Sequence, residues 1–447
     1  WPGGTTAIPP DRIVLPELTA ALVVFAMLSG IALSTALGHW LHSRPHISRW
    51  IPESGATILL GVLMGILLRA TGDRAVDEAA GFDETLFALA LLPVIIFESG
   101  FALDKHPFFS QLGSILTFAV FGTLIATMFV GLILFGLSDA GAMATRLSFE
   151  EAMSFAALIC AVDPVATLAV FGSLKVDPRL NALVYGEAVI NDAVAIVLFR
   201  TFSRFLTVVA TPHEVGASVG QFIGIFFGSA MIGVAMAWLT TPSRRPCWGF
   251  GCHVSDAHGI AQTTFLLLMG YASFSLAEGS QMSGIVASLA SGIAMNHYTR
   301  RALSPSGRRL AQWTFKLLAQ VAETAVFFSV GVNVVLFFGA VDMGFTFITV
   351  VLCLVARAIG VFPLAWLLNR GRKHPIPMEH QVIQWHSGLR GAIAYATSLV
   401  FPSQHREEII NTTAWTIFIT IFLLGGTTQP LLSYLGIRTN TSGTAID

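Results

Sequence analysis

Tyr185-Gly-Glu-Ala-Val-Ile-Asn-Asp-Ala-Val-Ala-Ile-Val-Leu-Phe199 is apolar enough to cross a bilayer, yet Glu187, Asn191 and Asp192 interrupt it. A charged side chain at the centre of a membrane helix costs roughly 2.5–3.5 kcal/mol on insertion scales, so these carboxylates face protein or water rather than lipid. Glu187 and Asn191 are four positions apart and share a helix face, whereas Asp192 points about 100° further round. The spacing lets one carboxylate be tied up structurally while the other works in a separate cavity.

The rest of the chain supports a membrane reading. Of 447 residues, 54% are hydrophobic and only 11% charged, and the mean hydropathy is +0.72. Such a composition excludes a string of soluble domains and implies one all-α polytopic domain over 1–447. The net charge of -1 carries no signature of nucleic-acid binding, and four scattered cysteines imply no disulfide framework. The chain opens at Trp1 and stops soon after its last apolar run, so it is expected to be a membrane core whose cytosolic tail is absent.

Apolar runs of about 17–25 residues bounded by Gly, Pro and charge mark transmembrane helices. Thirteen are read here, over 17–40, 53–69, 84–103, 111–137, 150–171, 179–205, 215–239, 259–277, 280–297, 310–338, 343–368, 379–401 and 409–435. With the N-terminus outside or luminal, the inner loops hold fifteen Lys and Arg residues and the outer loops seven. That bias places the C-terminus in the cytosol. An odd count built as six, one and six inverts the second half relative to the first. The expectation is two inverted repeats, about 17–205 and 259–435, joined by a linker helix at about 215–239.

In inverted-repeat transporters the site lies where corresponding discontinuous helices meet near the midplane. Spans 5 and 12 correspond. Span 5 carries Cys160-Ala-Val-Asp-Pro-Val-Ala-Thr167, whose Pro164 lacks an amide proton and clashes with the preceding turn. Span 12 carries His386-Ser-Gly-Leu-Arg-Gly-Ala392, a polar, glycine-flanked patch. Both are expected to be unwound, freeing backbone carbonyls for a cation.

Asp192 is read as a cation and proton site in preference to a satisfied buried carboxylate, because a proton and a small hard cation compete for the same oxygens. Asn191 is expected at the ion site, orienting the neighbouring helix through its amide without titrating. Arg357, the basic residue deep in span 11, is the expected partner of Glu187 in a structural salt bridge. Asp163 and Arg390 are expected to compensate the half-helix ends, with Asp163 also contributing to the ion site. Glu98 and Glu323 are candidate vestibule residues or helix ties. Cys247, Cys252, His253 and His258 have types that hold zinc, but their spacing is a weak signal and no structural metal is expected. His386 is expected to be a buried, satisfied histidine.

The quoted stretches carry a family resemblance. Ala161-Val-Asp-Pro-Val-Ala-Thr-Leu-Ala-Val-Phe171, Gly186–Leu198, Arg357-Ala-Ile-Gly-Val-Phe-Pro363 and Ser387-Gly-Leu-Arg-Gly-Ala-Ile-Ala-Tyr395, in this order, resemble the eukaryotic-type sodium/proton exchangers of the monovalent cation/proton antiporter superfamily. Gly186–Leu198 and the His297-Tyr298 pair look closest to the endosomal and Golgi branch. The resemblance implies a thirteen-helix homodimer, with a dimerisation bundle and a mobile core holding two crossed, broken helices. It also implies that Asp192 binds the ion, that Glu187 pairs with Arg357, and that Asp163 lies next to the site.

The expected function is antiport of Na+ or K+ against H+ by elevator-like movement of the core. One titrating carboxylate neutralised alternately by a proton or a cation implies 1:1 electroneutral exchange. The transported cation at Asp192 and membrane lipids are the expected partners, with no cofactor and no enzymatic activity. The expected location is an endosomal, Golgi or plasma membrane. An intramembrane aspartyl protease would need two cooperating carboxylates, nominally Asp163 and Asp192, and the Pro and Asn beside them favour the transporter. A cation channel leaves the inverted order of spans unexplained.

Overall fold

Backbone N–H and C=O groups inside a bilayer find no water, and a helix satisfies them within one segment. The computed structural model describes residues 11–44, 51–70, 87–163, 176–208, 211–241, 256–336, 342–372 and 374–437, with Phe171 and Leu174. Among these residues there are helices and no strands. Those longer than two turns are, in chain order, α1 (Asp11–His42), α2 (Glu53–Ala70), α3 (Leu92–Phe101), α4 (Leu112–Asp139), α5 (Phe149–Ile159), α6 (Pro178–Ser203) and α7 (Pro212–Thr240). There follow α8 (Asp256–Gly279), α9 (Gly284–Ala294), α10 (Pro305–Leu336), α11 (Met343–Asn369), α12a (Met378–His386), α12b (Ala392–Leu399) and α13 (Arg406–Tyr434). Nine of the described helices are long and apolar enough to cross a membrane. The shorter α3, α5, α9 and the two halves of α12 pack among them.

Helix starts follow local chemistry. Ser148 and Glu151 form a capping box on α5, with Glu151 N–H on the Ser148 hydroxyl at 3.2 Å and Ser148 N–H on the Glu151 carboxylate at 2.8 Å. Asp177 accepts from Arg179 N–H at 2.7 Å, and Pro178 opens α6, where its missing amide proton costs nothing. Four wider π turns, Phe87–Leu91, Thr117–Gly122, Met295–Thr299 and Ile421–Gly425, continue into helices without an apolar-pattern signal.

Burial sorts the helices by their polar content. The most apolar window of α6 is 94% buried, against 17% for α7 and 22% for α1. The helix carrying Glu187, Asn191 and Asp192 is therefore enclosed by protein, while α1 and α7 present Phe25, Leu28, Phe227, Met231 and Trp238 outward. An apolar side chain costs nothing against lipid; a carboxylate does.

Helices α2 and α10 run parallel in backbone contact. Gly61 faces the Phe328 carbonyl and Gly331 Cα, Gly331 faces the Ile58 carbonyl, and Gly65 faces the Val332 carbonyl. Small residues of this kind let membrane helices approach closely. At one end Arg69 Nη1 donates to the Val335 carbonyl at 2.8 Å. A methyl group at 331 would overlap the Ile58 carbonyl, so Gly331→Ala is expected to destabilise the bundle by about 1–3 kcal/mol. Thermal unfolding in detergent measures this, and an unchanged midpoint would show that the two helices are free to separate.

Candidate ion site

The unwound end of α5 and the break between α12a and α12b meet beside α6. Helix α5 stops at Ile159 and is closed by Cys160, after which Ala161, Val162 and Asp163 leave the helix. The helix closes four residues before Pro164, at the carbonyl a proline there would crowd; Pro164 and Thr167 themselves lie outside the described residues. Helix α12a ends at His386 and α12b starts at Ala392, so Ser387–Gly391 is the break expected from its polar, glycine-flanked pattern.

The two breaks satisfy each other. Asp163 N–H donates to the Leu389 carbonyl at 2.9 Å, and Arg390 Nη1 donates to the Ala161 carbonyl at 3.1 Å. Arg390 N–H also reaches the Thr420 hydroxyl at 3.3 Å. The buried Arg390 guanidinium thus stands just past the carbonyl end of α5. The Asp163 carboxylate lies against Gly391, at the amide end of α12b, where a Cβ would overlap it. Each charge meets the partial charge at the end of the other interrupted helix.

Helix α6 divides its polar residues between two sides. Asn191 Oδ1 accepts from Val162 N–H at 3.0 Å, and its Nδ2 donates to the Thr123 hydroxyl. Both ends of the amide are therefore engaged, and Asn191 ties the α5 break to α4. Glu187, one turn earlier on the same face, pairs with Arg357 through both carboxylate oxygens, the Nη2–Oε2 contact being 3.0 Å. Gln384 completes the group, donating to Glu187 Oε2 at 2.8 Å and offering its carbonyl to Arg357 Nη2 at 3.0 Å. The void beside these groups measures only about 10 Å³, at the lower limit for one water.

Asp192 faces the other way. With Val189 and Tyr185 it lines a cavity of about 520 Å³, which Asp163 and Gly391 also border. Glu98 from α3 and Glu323 from α10 line the same cavity. Tyr185 donates its hydroxyl to the Ser99 carbonyl at 3.0 Å. Residues 185, 189 and 192 contribute and 196 does not, so the cavity extends from Asp192 toward the start of α6.

Four contributors escaped the sequence reading. Glu53 opens α2 and lines the cavity, as does Lys316 on α10. Lys316, Gln320, Glu323, Thr324 and Phe327 form one helical stripe, the signal that would have found them. Thr123 and Gln384 are neutral residues in apolar runs and carry no comparable mark. His386 is satisfied, with Nε2 at 3.0 Å from the Leu424 carbonyl and 3.2 Å from the Thr427 hydroxyl. Among the described residues no group of three His, Cys, Asp or Glu side chains gathers in a way that would hold a metal. Cys247, Cys252 and His253 lie outside the described residues, as does the side chain of His258.

A helical membrane bundle in which the unwound end of α5 and the break in α12 meet beside a buried carboxylate has the character of a secondary transporter. The chain belongs to the sodium/hydrogen exchanger family: the family's description "Sodium/hydrogen exchanger, transmembrane" matches residues 23–434. It is 38% identical over 435 residues to sodium/hydrogen exchanger 8 of Rattus norvegicus, covering 94% of this chain and 74% of that protein. Sodium/hydrogen exchanger 5 of Arabidopsis thaliana is 34% identical over 436 residues, covering 96% of this chain and 82% of that protein. The fold is similar to that of the sodium proton antiporter MjNhaP1 from Methanocaldococcus jannaschii at pH 8. That structure has a TM-score of 0.67 and 16% identity, covering 94% of this chain and 99% of that chain.

Removing one partner of a buried ion pair leaves the other uncompensated, typically at about 3–5 kcal/mol. Arg357→Met is therefore expected to destabilise the protein by that order, and Glu187→Gln combined with Arg357→Met to recover a large part of it. Thermal unfolding of the single and double variants decides the point, because strictly additive losses would mean that the pair is not an energetic unit.

Proposed function

We propose that this chain exchanges Na+ or K+ for H+ across a membrane, with Asp192 carrying the cation and the proton in alternation. The observation that carries the reading is the placement of Asp192: a buried carboxylate on an enclosed helix, open to a cavity at the crossing of two interrupted helices. Membership of the exchanger family and the names of its relatives agree with cation and proton as substrates. They also favour a transporter over an enzyme.

Roles divide as the geometry does. Asp192 and the adjacent Asp163 offer oxygens to the cation, Asn191 holds the unwound segment of α5 in register, and Glu187 with Arg357 fixes α6 to α11. Arg390 and Asp163 compensate the ends of the interrupted helices, while Glu98 and Glu323 line the approach. The bundle is read as thirteen membrane crossings in two inverted repeats, about 17–205 and 259–435, joined by a linker at about 215–239. The N-terminus lies outside or in the lumen and the C-terminus in the cytosol, which places the cavity on the cytosolic side. A homodimer in an endosomal, Golgi or plasma membrane completes the reading.

The mechanism is elevator-like. The core moves with Asp192 neutralised by one proton or by one monovalent cation, so its charge is the same in both directions and exchange is 1:1 and electroneutral. In proteoliposomes, imposed Na+, K+ or Li+ gradients are expected to drive pH changes that do not depend on a clamped membrane potential and that disappear in Asp192→Asn. Exchange that survives this substitution would move the ion site elsewhere, and exchange that follows the potential would require a second titrating group.

A further inference from the structure

At the end of α6 away from the cavity, Arg200 grips a strained turn. Its Nη2 donates to Glu278 Oε1 at 2.8 Å and its Nη1 to the Met282 carbonyl at 3.1 Å. Glu278 lies in the last turn of α8, and the same carboxylate oxygen accepts from Gly284 N–H, the first residue of α9, at 2.9 Å. The two acceptors bracket the α8–α9 turn.

That turn closes α8 with Met282 N–H on the Ala277 carbonyl at 2.9 Å and Gln281 N–H on the Glu278 carbonyl at 3.1 Å. This is the Schellman pattern, whose left-handed corner normally holds glycine. Here it holds Gln281 at φ 59°, the one described non-glycine residue with positive φ. Backbone strain of this kind persists where its surroundings over-determine it. Ser229 braces the turn from α7, its hydroxyl accepting from Ser283 N–H at 2.8 Å. The result is a preformed receptor with two oxygens aimed at one guanidinium.

Arg200 stands on the helix that carries Asp192, about two turns further along. The stripe 185, 189 and 192 that lines the cavity continues at Ile196, which is buried, and at Phe199, whose ring packs on Phe401 at 5.7 Å. This end of α6 is closed while the Tyr185 end is open. The Arg200 and Glu278 side chains are 38% and 30% exposed, so the pair is weak enough to open and close without a large barrier.

We propose that Arg200 is a positioning residue for exchange: its grip on Glu278 and the Met282 carbonyl holds α6 where Asp192 faces the cavity, and it releases when Asp192 turns to the other side. This rests on the alternating-access reading above. Breaking the grip shifts the equilibrium toward the opposite-facing form by about two- to fivefold, the range of a half-exposed ion pair.

The test is access to a thiol at Ile196, the next position of the cavity stripe. In a Cys247→Ser, Cys252→Ser background, Ile196→Cys protein in liposomes is labelled with a membrane-impermeant maleimide from the side opposite the cavity. Adding Arg200→Gln is expected to raise the labelling rate about two- to fivefold, and Glu278→Gln to do the same, while Arg200→Lys, which keeps the charge but only part of the two-point contact, raises it less. An unchanged rate in Arg200→Gln, a rise with only one of the two partners removed, or an equal rise in Arg200→Lys overturns the proposal. The readout is access and not transport, so it is decided separately from whether Asp192→Asn abolishes exchange.

Discussion

Two unwound stretches of backbone lie deep inside this bundle, and the structure depends on how their polar groups are satisfied. An unpaired amide or carbonyl in hydrocarbon costs several kcal/mol, so irregular backbone survives only where protein or a water-filled cavity supplies partners. Here each break supplies the other. The Asp163 amide takes the Leu389 carbonyl, and the Arg390 guanidinium takes the Ala161 carbonyl. Asn191 reaches in from α6 to hold the Val162 amide. The crossing cannot be loosened at one helix without exposing the other, which makes the pair of breaks and α6 one mechanical unit.

That unit explains why three polar residues are retained in a stretch that would otherwise be a plain membrane helix. On one face of α6, Asn191 and Glu187 are fully committed, one to the unwound α5 segment and one to Arg357 and Gln384. On the other face, Asp192 looks into open volume with Asp163 beside it. A carboxylate that is already paired is a poor carrier, because an incoming cation must first displace its partner. The division between a tied carboxylate and an open one is what makes cation and proton competition at Asp192 physically reasonable.

The same residues show what is legible in a sequence of this kind. Charges in a membrane span are expensive, so Glu187, Asp192, Arg357 and Arg390 announced themselves, and the Glu187–Arg357 pairing followed from there being few possible partners. The ends of the helices were legible because apolar runs stop at capping residues such as Asp177 with Pro178. Neutral polar residues did not stand out: Thr123 and Gln384 are inexpensive to bury once bonded. Glu53 opens α2, where charge is ordinary, while Lys316 lies about three turns into α10 and belongs to the polar stripe facing the cavity. Gln281 is not a turn-forming residue by type, and its strain exists only in three dimensions. The π turns leave no trace in apolar periodicity. Pro164 marked the right region: a proline clashes with the carbonyl four residues back, and α5 ends at Ile159 with Cys160 as its cap.

The central claim is that one carboxylate binds the cation and the proton in competition, and proton release on cation binding tests it most directly. Purified protein in lightly buffered detergent solution is titrated with Na+ or K+ while bound cation and released protons are counted together. Binding that requires deprotonation of its ligand releases protons. Starting from a pH at which Asp192 is protonated, the account predicts about one proton released per cation bound in the wild type and none in Asp192→Asn. Saturable cation binding with no proton release in the wild type would contradict it.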